Sequence, residues 1–501
     1  MNNDNKTKSN DTIFSFTVDR RTIFKSSINS FLIQIIFRLK GFITAPILTY
    51  LMLPSEMGVL NLIVVTSSVF APFVNLNLPD GSAIYFSRER AVEKIRTMYL
   101  TIVNTIGISA ILVTLIASLL IYFLRPDLYK YAFWAALLLY ANIFYQMSSF
   151  LLSTYQKTGL VVKNAFVRDS SATVMSIFFV YLGYSYKGMV IANVIAFLVS
   201  SFLLLRIVTK NMSYAFTIDT SYLRAFLKLS IPLLPVFFFS WIIQSSDSYF
   251  LAYYKGEGIV GKYSVIYGIT NVILTITYAL NFFWVPVSAR LWVENREKFT
   301  QAFRLLFTLF LTILLMIVLL FELNSKMIIH LLIRREEYYD AYVIMGILAF
   351  SFAMQVLITL LTAPLYSNKN TRTIFFAHLI GGLVNTILNF LIIPSTGIFG
   401  AAISTAVSYL TVVLVMSYMS YKLADFAFLN KHLFYIIGLF VFAWGGIFSA
   451  REYFEMYQSI LASILVIIVI GAIVYFKVLE KKEREYLFLF LKEFNIKRVI
   501  A

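Results

Sequence analysis

Hydrophobic residues run along this chain in long blocks, each close to the roughly 20 residues that a helix needs to cross a bilayer, and polar residues collect in the short gaps between them. The pattern predicts about fourteen spans, near residues 26–53, 57–78, 99–124, 131–155, 159–183, 188–208, 227–253, 259–288, 301–321, 341–364, 373–394, 397–421, 433–449 and 458–477. No stretch alternates with the period of two that a transmembrane barrel requires. In hydrocarbon, blocks of this length can pair their own backbone groups only as helices. The predicted fold class is an all-α polytopic membrane protein.

Composition strengthens that prediction, because a chain with 60% hydrophobic and 13% charged residues cannot cover itself with a water-soluble surface. The absence of cysteine excludes a disulfide framework, a thiolate metal site and a cysteine nucleophile. Residues 1–25 are polar and lack the apolar core of a secretory signal, so they are expected to remain as a tail. The net charge of +17 changes the picture through its distribution. Arg20, Arg21, Lys25, Arg88, Arg90, Lys94, Arg96, Arg206, Lys210, Arg224, Lys228, Arg290, Arg296, Lys298 and the tail after Lys477 fall on one set of connections. By the positive-inside rule that face, with both termini, is cytoplasmic. Anionic membrane lipid is the expected counter-charge. Nucleic acid is not an expected partner, since no basic surface is interleaved with stacking aromatics.

The stretch Met57-Gly58-Val59-Leu60-Asn61-Leu62-Ile63 opens the second span, and Val260-Gly261-Lys262-Tyr263-Ser264-Val265-Ile266 opens the eighth. Either the likeness is chance in apolar sequence, or the chain repeats a unit of about six helices in the same orientation. The repeat divides it into a cytoplasmic tail (1–25), an N-lobe (26–208), a cytoplasmic linker (209–226), a C-lobe (227–421), two further helices (422–477) and a second cytoplasmic tail (478–501).

Polar residues recur at helical spacing inside these spans: Gln34 with Arg38; Asn142, Gln146, Ser149 and Ser153; Ser240, Gln244 and Asp247; Gln355, Thr359 and Thr362; His378, Gly382, Asn385 and Asn389. Asn271 joins them from the eighth span. Singly these are ordinary interhelical hydrogen-bonding residues; together they predict a wet central cavity. Arg38 lies about eleven residues, or roughly 17 Å, into its span, where facing lipid would cost at least about 2.5 kcal/mol. Lys40 poses the same question, and Asp247 reads as the only carboxylate deep in a span. Two accounts follow. An ion pair of Asp247 with Arg38 or Lys40 fixes packing; or the cations receive an anionic substrate while Asp247 binds a coupling ion or gates the cavity. Two cations facing one acid favour an anion. Pro46, Pro232 and Pro235 interrupt the ladders of the first and seventh spans, as hinges or as static kinks.

The stretch Leu227-Lys228-Leu229-Ser230-Ile231-Pro232-Leu233-Leu234-Pro235, then Trp241, Ser246-Asp247 and Gly261-Lys262-Tyr263-Ser264, resembles the polysaccharide transporter family. So does Asn385-Thr386-Ile387-Leu388-Asn389 running through Pro394 to Gly397-Ile398-Phe399-Gly400-Ala401-Ala402-Ile403-Ser404-Thr405, as does the hairpin Leu53-Pro54-Ser55-Glu56-Met57-Gly58, where Met57 stands in the place of a common aromatic. This resemblance covers roughly residues 22 to 480. It implies two six-helix lobes around a cavity that opens alternately to each side, plus two extra C-terminal helices. It also implies a flippase for oligosaccharide repeat units carried on undecaprenyl diphosphate, O-antigen or similar, in the bacterial cytoplasmic (inner) membrane.

Such a substrate suits the residues, because a diphosphate and its sugars need shelter from hydrocarbon while the polyprenyl tail does not. Arg38, Lys40 and Arg168 would neutralise the diphosphate or acidic sugars, although Arg168, near the cytoplasmic start of the fifth span, also suits a topogenic role. Gln34, Gln146, Gln244, Asn271, Gln355, Asn385 and Asn389 would replace water around sugar hydroxyls. His378 would relay protons or serve as a core hydrogen-bonding residue. No catalytic residue, metal or organic cofactor is called for; H+ or Na+ coupling is. Polymerase and chain-length proteins of the same pathway are expected neighbours. The rival functions are a multidrug-type cation antiporter, which would want carboxylates in its cavity, a lipid II flippase, and a polysaccharide polymerase or ligase, which would want a large outer loop.

Overall fold

The computed structural model describes residues 40–155, 157–210, 214–368, 370–424 and 431–478, together with Arg484. Gln34, Arg38, the N-terminal tail and nearly all of the C-terminal tail lie outside the described residues. Every regular element among the described residues is helical: α1 (40–51), α2 (Pro54–Asn75), α3 (Leu78–Arg88), α4 (Val92–Leu124), α5 (Pro126–Thr154), α6 (Thr158–Tyr181), α7 (Ser185–Thr209), α8 (Thr220–Ser230), α9 (Leu234–Ser245), α10 (Asp247–Lys255), α11 (Glu257–Thr270), α12 (Thr275–Ala279), α13 (Val285–Glu294), α14 (Arg296–Leu323), α15 (Ser325–Leu332), α16 (Met345–Ser367), α17 (Thr371–Thr396), α18 (Ile398–Ala424), α19 (Lys431–Ala450) and α20 (Met456–Ile473), with short 3-10 and π turns between some of them.

Twelve of the described helical stretches are long and apolar enough to cross a bilayer, so the chain is a multi-pass membrane protein. Of the fourteen spans expected, the first lies largely outside the described residues. The fifth is present as α6, but Lys163, Arg168 and Asp169 interrupt its apolar run. Outward-facing side chains along the spans are themselves apolar: Ile108, Ile111, Leu112, Leu115, Ile116 and Leu119 form one exposed stripe on α4. Lipid is the solvent for which such a stripe is built.

Chain contacts divide the protein into two compact units, one of residues 1–40 and 51–241, the other of 41–50 and 242–501. The first unit is held by an aromatic core. Phe86 meets Phe150 edge to face at 5.6 Å, Tyr99 stacks on Phe150 at 5.8 Å, and the buried Tyr155 hydroxyl donates to the Phe86 carbonyl at 3.2 Å. The chain bends after α2 because Leu76 and Asn77 both take left-handed backbone conformations, and the Asn75 side chain accepts from the Asn77 N–H at 2.8 Å. In the second unit α16 is the most enclosed helix, buried along nearly all of its faces.

The seventh and eighth spans depart from the single helices their hydropathy suggested. The seventh is α8, a 3-10 turn at Ile231–Leu233 containing Pro232, α9 with Pro235 in its first turn, a bend at Ser246, and α10. The eighth is α11, a 3-10 turn at Asn271–Leu274, α12, a π turn at Leu280–Trp284, and α13 with Pro286. Proline supplies no N–H to the ladder, so the backbone changes its pitch around it. Pro46, by contrast, sits inside the unbroken helix α1.

The two matching heptapeptides occupy equivalent places. Met57 and Val260 each stand three residues after a helix start, Pro54 and Glu257, and each is followed by a buried glycine, Gly58 and Gly261.

Gly346 on α16 is a close-approach glycine, because a Cβ there would collide with the Glu322 carboxylate. Glu322 is itself fully buried, so it has little room to yield. Gly346→Ala is expected to destabilise the protein by about 1–3 kcal/mol, seen as a lowered thermal midpoint in detergent; an unchanged midpoint would show that Glu322 relocates freely.

Candidate functional site

In the first unit the charges inside the spans gather around α6. Arg168 is the eleventh residue of that helix, about 15 Å along it at 1.5 Å per residue, deeper than the span-start position expected from the sequence. Its Nε donates to Asp169 Oδ1 at 2.7 Å, and its guanidinium lies over the rings of Tyr145, at 4.2 Å, and Phe197, at 4.7 Å. Aromatic faces stabilise a partly desolvated cation by their quadrupole. Lys40, from α1, reaches the same turn of α6: its Nζ donates to Thr173 Oγ1 at 3.1 Å and to the Asp169 carbonyl at 3.4 Å. Two predicted cations, Lys40 and Arg168, thus meet at Asp169, Arg168 through its carboxylate and Lys40 through its backbone carbonyl, so the group holds two cations and one carboxylate. Asp169 also corrects the sequence reading, which took Asp247 as the only carboxylate deep in a span.

Next to this group, Gln146 joins α5 to α2. It accepts from Asn75 Nδ2 at 3.0 Å and donates to Asn142 Oδ1 at 2.9 Å. The rest of that stripe bonds inward to its own helix, Ser149 to the Gln146 carbonyl and Ser153 to the Ser149 carbonyl. These hydroxyls satisfy the local backbone rather than neighbouring helices.

In the second unit a buried polar cluster forms around Asp247, which is fully enclosed. Tyr263 donates a short hydrogen bond to Asp247 Oδ2, and Thr405 donates to the same oxygen at 3.0 Å. Both partners are hydroxyls, not cations. Beside them Ser246 donates to Asn385 Oδ1 at 2.9 Å, while Asn389 Nδ2 donates to Asn385 Oδ1 at 3.0 Å and to Ser246 Oγ at 3.3 Å. Three polar atoms of the cluster, Asp247 Oδ1, Asn389 Oδ1 and Asn385 Nδ2, have no hydrogen-bond partner among the described residues. Leaving buried groups unpaired costs about 1–3 kcal/mol each.

The elements that meet here are the bend before α10, the second turn of α11, the middle of α17 and the first turns of α18. Each is a stretch that carried the family resemblance. Tyr263, Ser246 and Thr405 were within those motifs but were not singled out, because helical spacing within one span cannot show which spans meet.

The remaining predicted residues are dispersed. Gln355 buries its Oε1 without a partner among the described residues. Half-buried Gln244 makes no side-chain hydrogen bond among the described residues, and Asn271 opens the 3-10 turn after α11. His378 shares Nδ1 with the Ile374 carbonyl of its own helix at 2.8 Å. A buried ion pair also escaped the sequence. Glu322, one residue past the predicted end of the ninth span, pairs with Arg451, two residues past the predicted end of the thirteenth, and accepts from Trp444 Nε1 at 3.0 Å.

A family model described as polysaccharide biosynthesis protein matches residues 23–292, and the MatE family model matches residues 232–391. No curated protein matches the chain. Among solved structures, the fold is similar to lipid II flippase MurJ in an inward closed conformation, with 16% identity, 89% of this chain and 99% of that chain covered, and a TM-score of 0.65. It is similar to an outward-facing multidrug resistance MATE family transporter of the MOP superfamily, with 15% identity, coverage of 83% and 99%, and a TM-score of 0.57. A MOP superfamily transporter from Pyrococcus furiosus is also similar, with 15% identity, coverage of 81% and 96%, and a TM-score of 0.57.

Proposed function

The chain belongs to the polysaccharide biosynthesis protein family, whose model spans more than half of its 501 residues, and from that premise we propose that it is a flippase for undecaprenyl-diphosphate-linked oligosaccharide repeat units. The observation that carries this reading is the meeting of Lys40 and Arg168 at Asp169, midway along α6. An intramembrane group with residual positive charge is expensive unless an anion uses it. A guanidinium suits phosphate oxygens through its forked donors, and Arg168 is held in place by its two aromatic neighbours.

Transport follows by alternating access from the cytoplasmic to the outer leaflet of the bacterial cytoplasmic membrane, with the polyprenyl tail remaining in lipid. Asp247 and its free oxygens would take the coupling ion, H+ or Na+. Asn385 and Asn389, fully enclosed beside Asp247, belong to that ion cluster rather than to sugar binding; Gln146 and Gln355 keep the sugar role.

The test is surface-polysaccharide display in a flippase-deleted strain complemented with this gene. Wild type is expected to restore display, and Lys40→Ala/Arg168→Ala, at equal membrane level, to lower it at least tenfold, the loss of two charge-assisted hydrogen bonds. Full display by the double variant would remove these cations from the substrate path. The second reading, a lipid II flippase, is favoured by likeness to MurJ. It predicts that depletion stops peptidoglycan synthesis and growth rather than surface polysaccharide alone.

A further inference from the structure

The segment between α7 and α9 is built into the first unit. Residues 214–219 form no regular element and are tied to α4: Asn104 Nδ2 donates to the Thr217 carbonyl at 2.9 Å and to the Ala215 carbonyl at 3.3 Å, Tyr214 donates to Asn104 Oδ1 at 2.8 Å, and the Asp219 N–H donates to Thr101 at 3.0 Å. Asp219 then caps α8 by accepting from the N–H groups of Ser221 and Tyr222.

α8 spends one face on α3. Phe226 is fully buried between Phe86 and Tyr85, Tyr222 stacks on it, and Ser230 sits so close to Gly81 that a Cβ there would collide with it. The opposite face is therefore left free by packing, not by disorder. It carries Thr220, Arg224 and Lys228 at successive turns, and these, with Ile231, Pro232 and the half-buried Leu223 and Leu227 whose inner sides pack on the core, line an open groove of about 640 Å³. Arg224 and Lys228 make no ion pair among the described residues.

We propose that this groove is a binding site for an anionic phospholipid of the cytoplasmic leaflet, the phosphate held by Arg224 and Lys228 and the upper acyl chain laid against Leu223, Leu227 and Ile231. Basic side chains bordering an apolar face are what a helix at the membrane interface offers such a lipid. A glycosylated polyprenyl diphosphate fits less well, because Thr220 is the only uncharged polar side chain in the lining. The site rests on the membrane location of the chain and on the basic face being cytoplasmic, not on which lipid is transported.

The experiment is lipid retention by the purified full-length protein, read by native mass spectrometry, with phosphatidylglycerol, phosphatidylethanolamine and undecaprenyl diphosphate offered in turn. Two basic side chains predict a preference of roughly tenfold or more for phosphatidylglycerol over phosphatidylethanolamine. Arg224→Gln/Lys228→Gln is expected to bring it near parity, while Arg224→Lys/Lys228→Arg keeps it and Lys40→Ala leaves it unchanged. If the glutamine variant does not fold, the wild type still decides, since the preference must fall as salt rises from low to high. Persistence of the preference in the glutamine variant, its insensitivity to salt, or displacement of phosphatidylglycerol by equimolar undecaprenyl diphosphate would each overturn the proposal. Loss of polysaccharide display in Lys40→Ala with lipid preference intact would leave this site standing whatever the fate of the transport reading.

Discussion

Glu322→Ala is expected to destabilise the protein by about 3–5 kcal/mol, enough to deplete the folded form in detergent at moderate temperature. Glu322 is completely buried near the end of α14, and its partner Arg451 is 7% exposed in the short turn that joins α19 to α20. Removing the carboxylate strands a guanidinium whose other hydrogen bond among the described residues is to the Val343 carbonyl, at 3.3 Å. It also removes the acceptor of Trp444, whose indole stacks with Phe350 at 5.5 Å. The ion pair therefore fastens the last helical hairpin to α14 and α16. The control is Glu322→Met/Arg451→Met, which strands no charge and should recover most of the lost thermal midpoint, because a buried pair and an apolar replacement are often close in free energy. A double variant as unstable as the single one would show that the pair itself, and not the orphaned charge, supplies the stability.

The second large effect belongs to transport. Asp247→Asn, normally folded and normally inserted, is expected to reduce surface-polysaccharide display to the level of the flippase-deleted strain. The substitution keeps an oxygen in place to accept from Tyr263 and Thr405, so the geometry of the cluster is largely preserved. What it removes is the charge that would let an ion bind one conformation more tightly than the other, and without differential affinity there is no shift in population. Display near the wild-type level in Asp247→Asn would assign Asp247 to packing alone. Asp247→Ala is the less informative change, since it also deletes both hydrogen bonds.

Hydropathy made the spans legible because a bilayer imposes one requirement, an apolar run of sufficient length, on every helix that crosses it. The heptapeptides around Met57 and Val260 each open a helix at the same offset. Breaks within the seventh and eighth spans were only half legible: the prolines marked their neighbourhood, but the 3-10 and π turns depend on what packs around them. Glu322 and Arg451 read as loop charges because each lies at the edge of an apolar run; tertiary contact made them a buried pair.

The sequence by itself determined that this is an all-helical, multi-pass membrane protein with a family's motifs and an excess of positive charge within its spans, since those properties are local or summed over short windows. Only the tertiary structure decided that Lys40 and Arg168 meet at Asp169, that Asp247 accepts from Tyr263 and Thr405, and that among the described residues Arg224 and Lys228 make no ion pair. Such partners are far apart in the chain, and one helix face cannot declare which other helix it will meet.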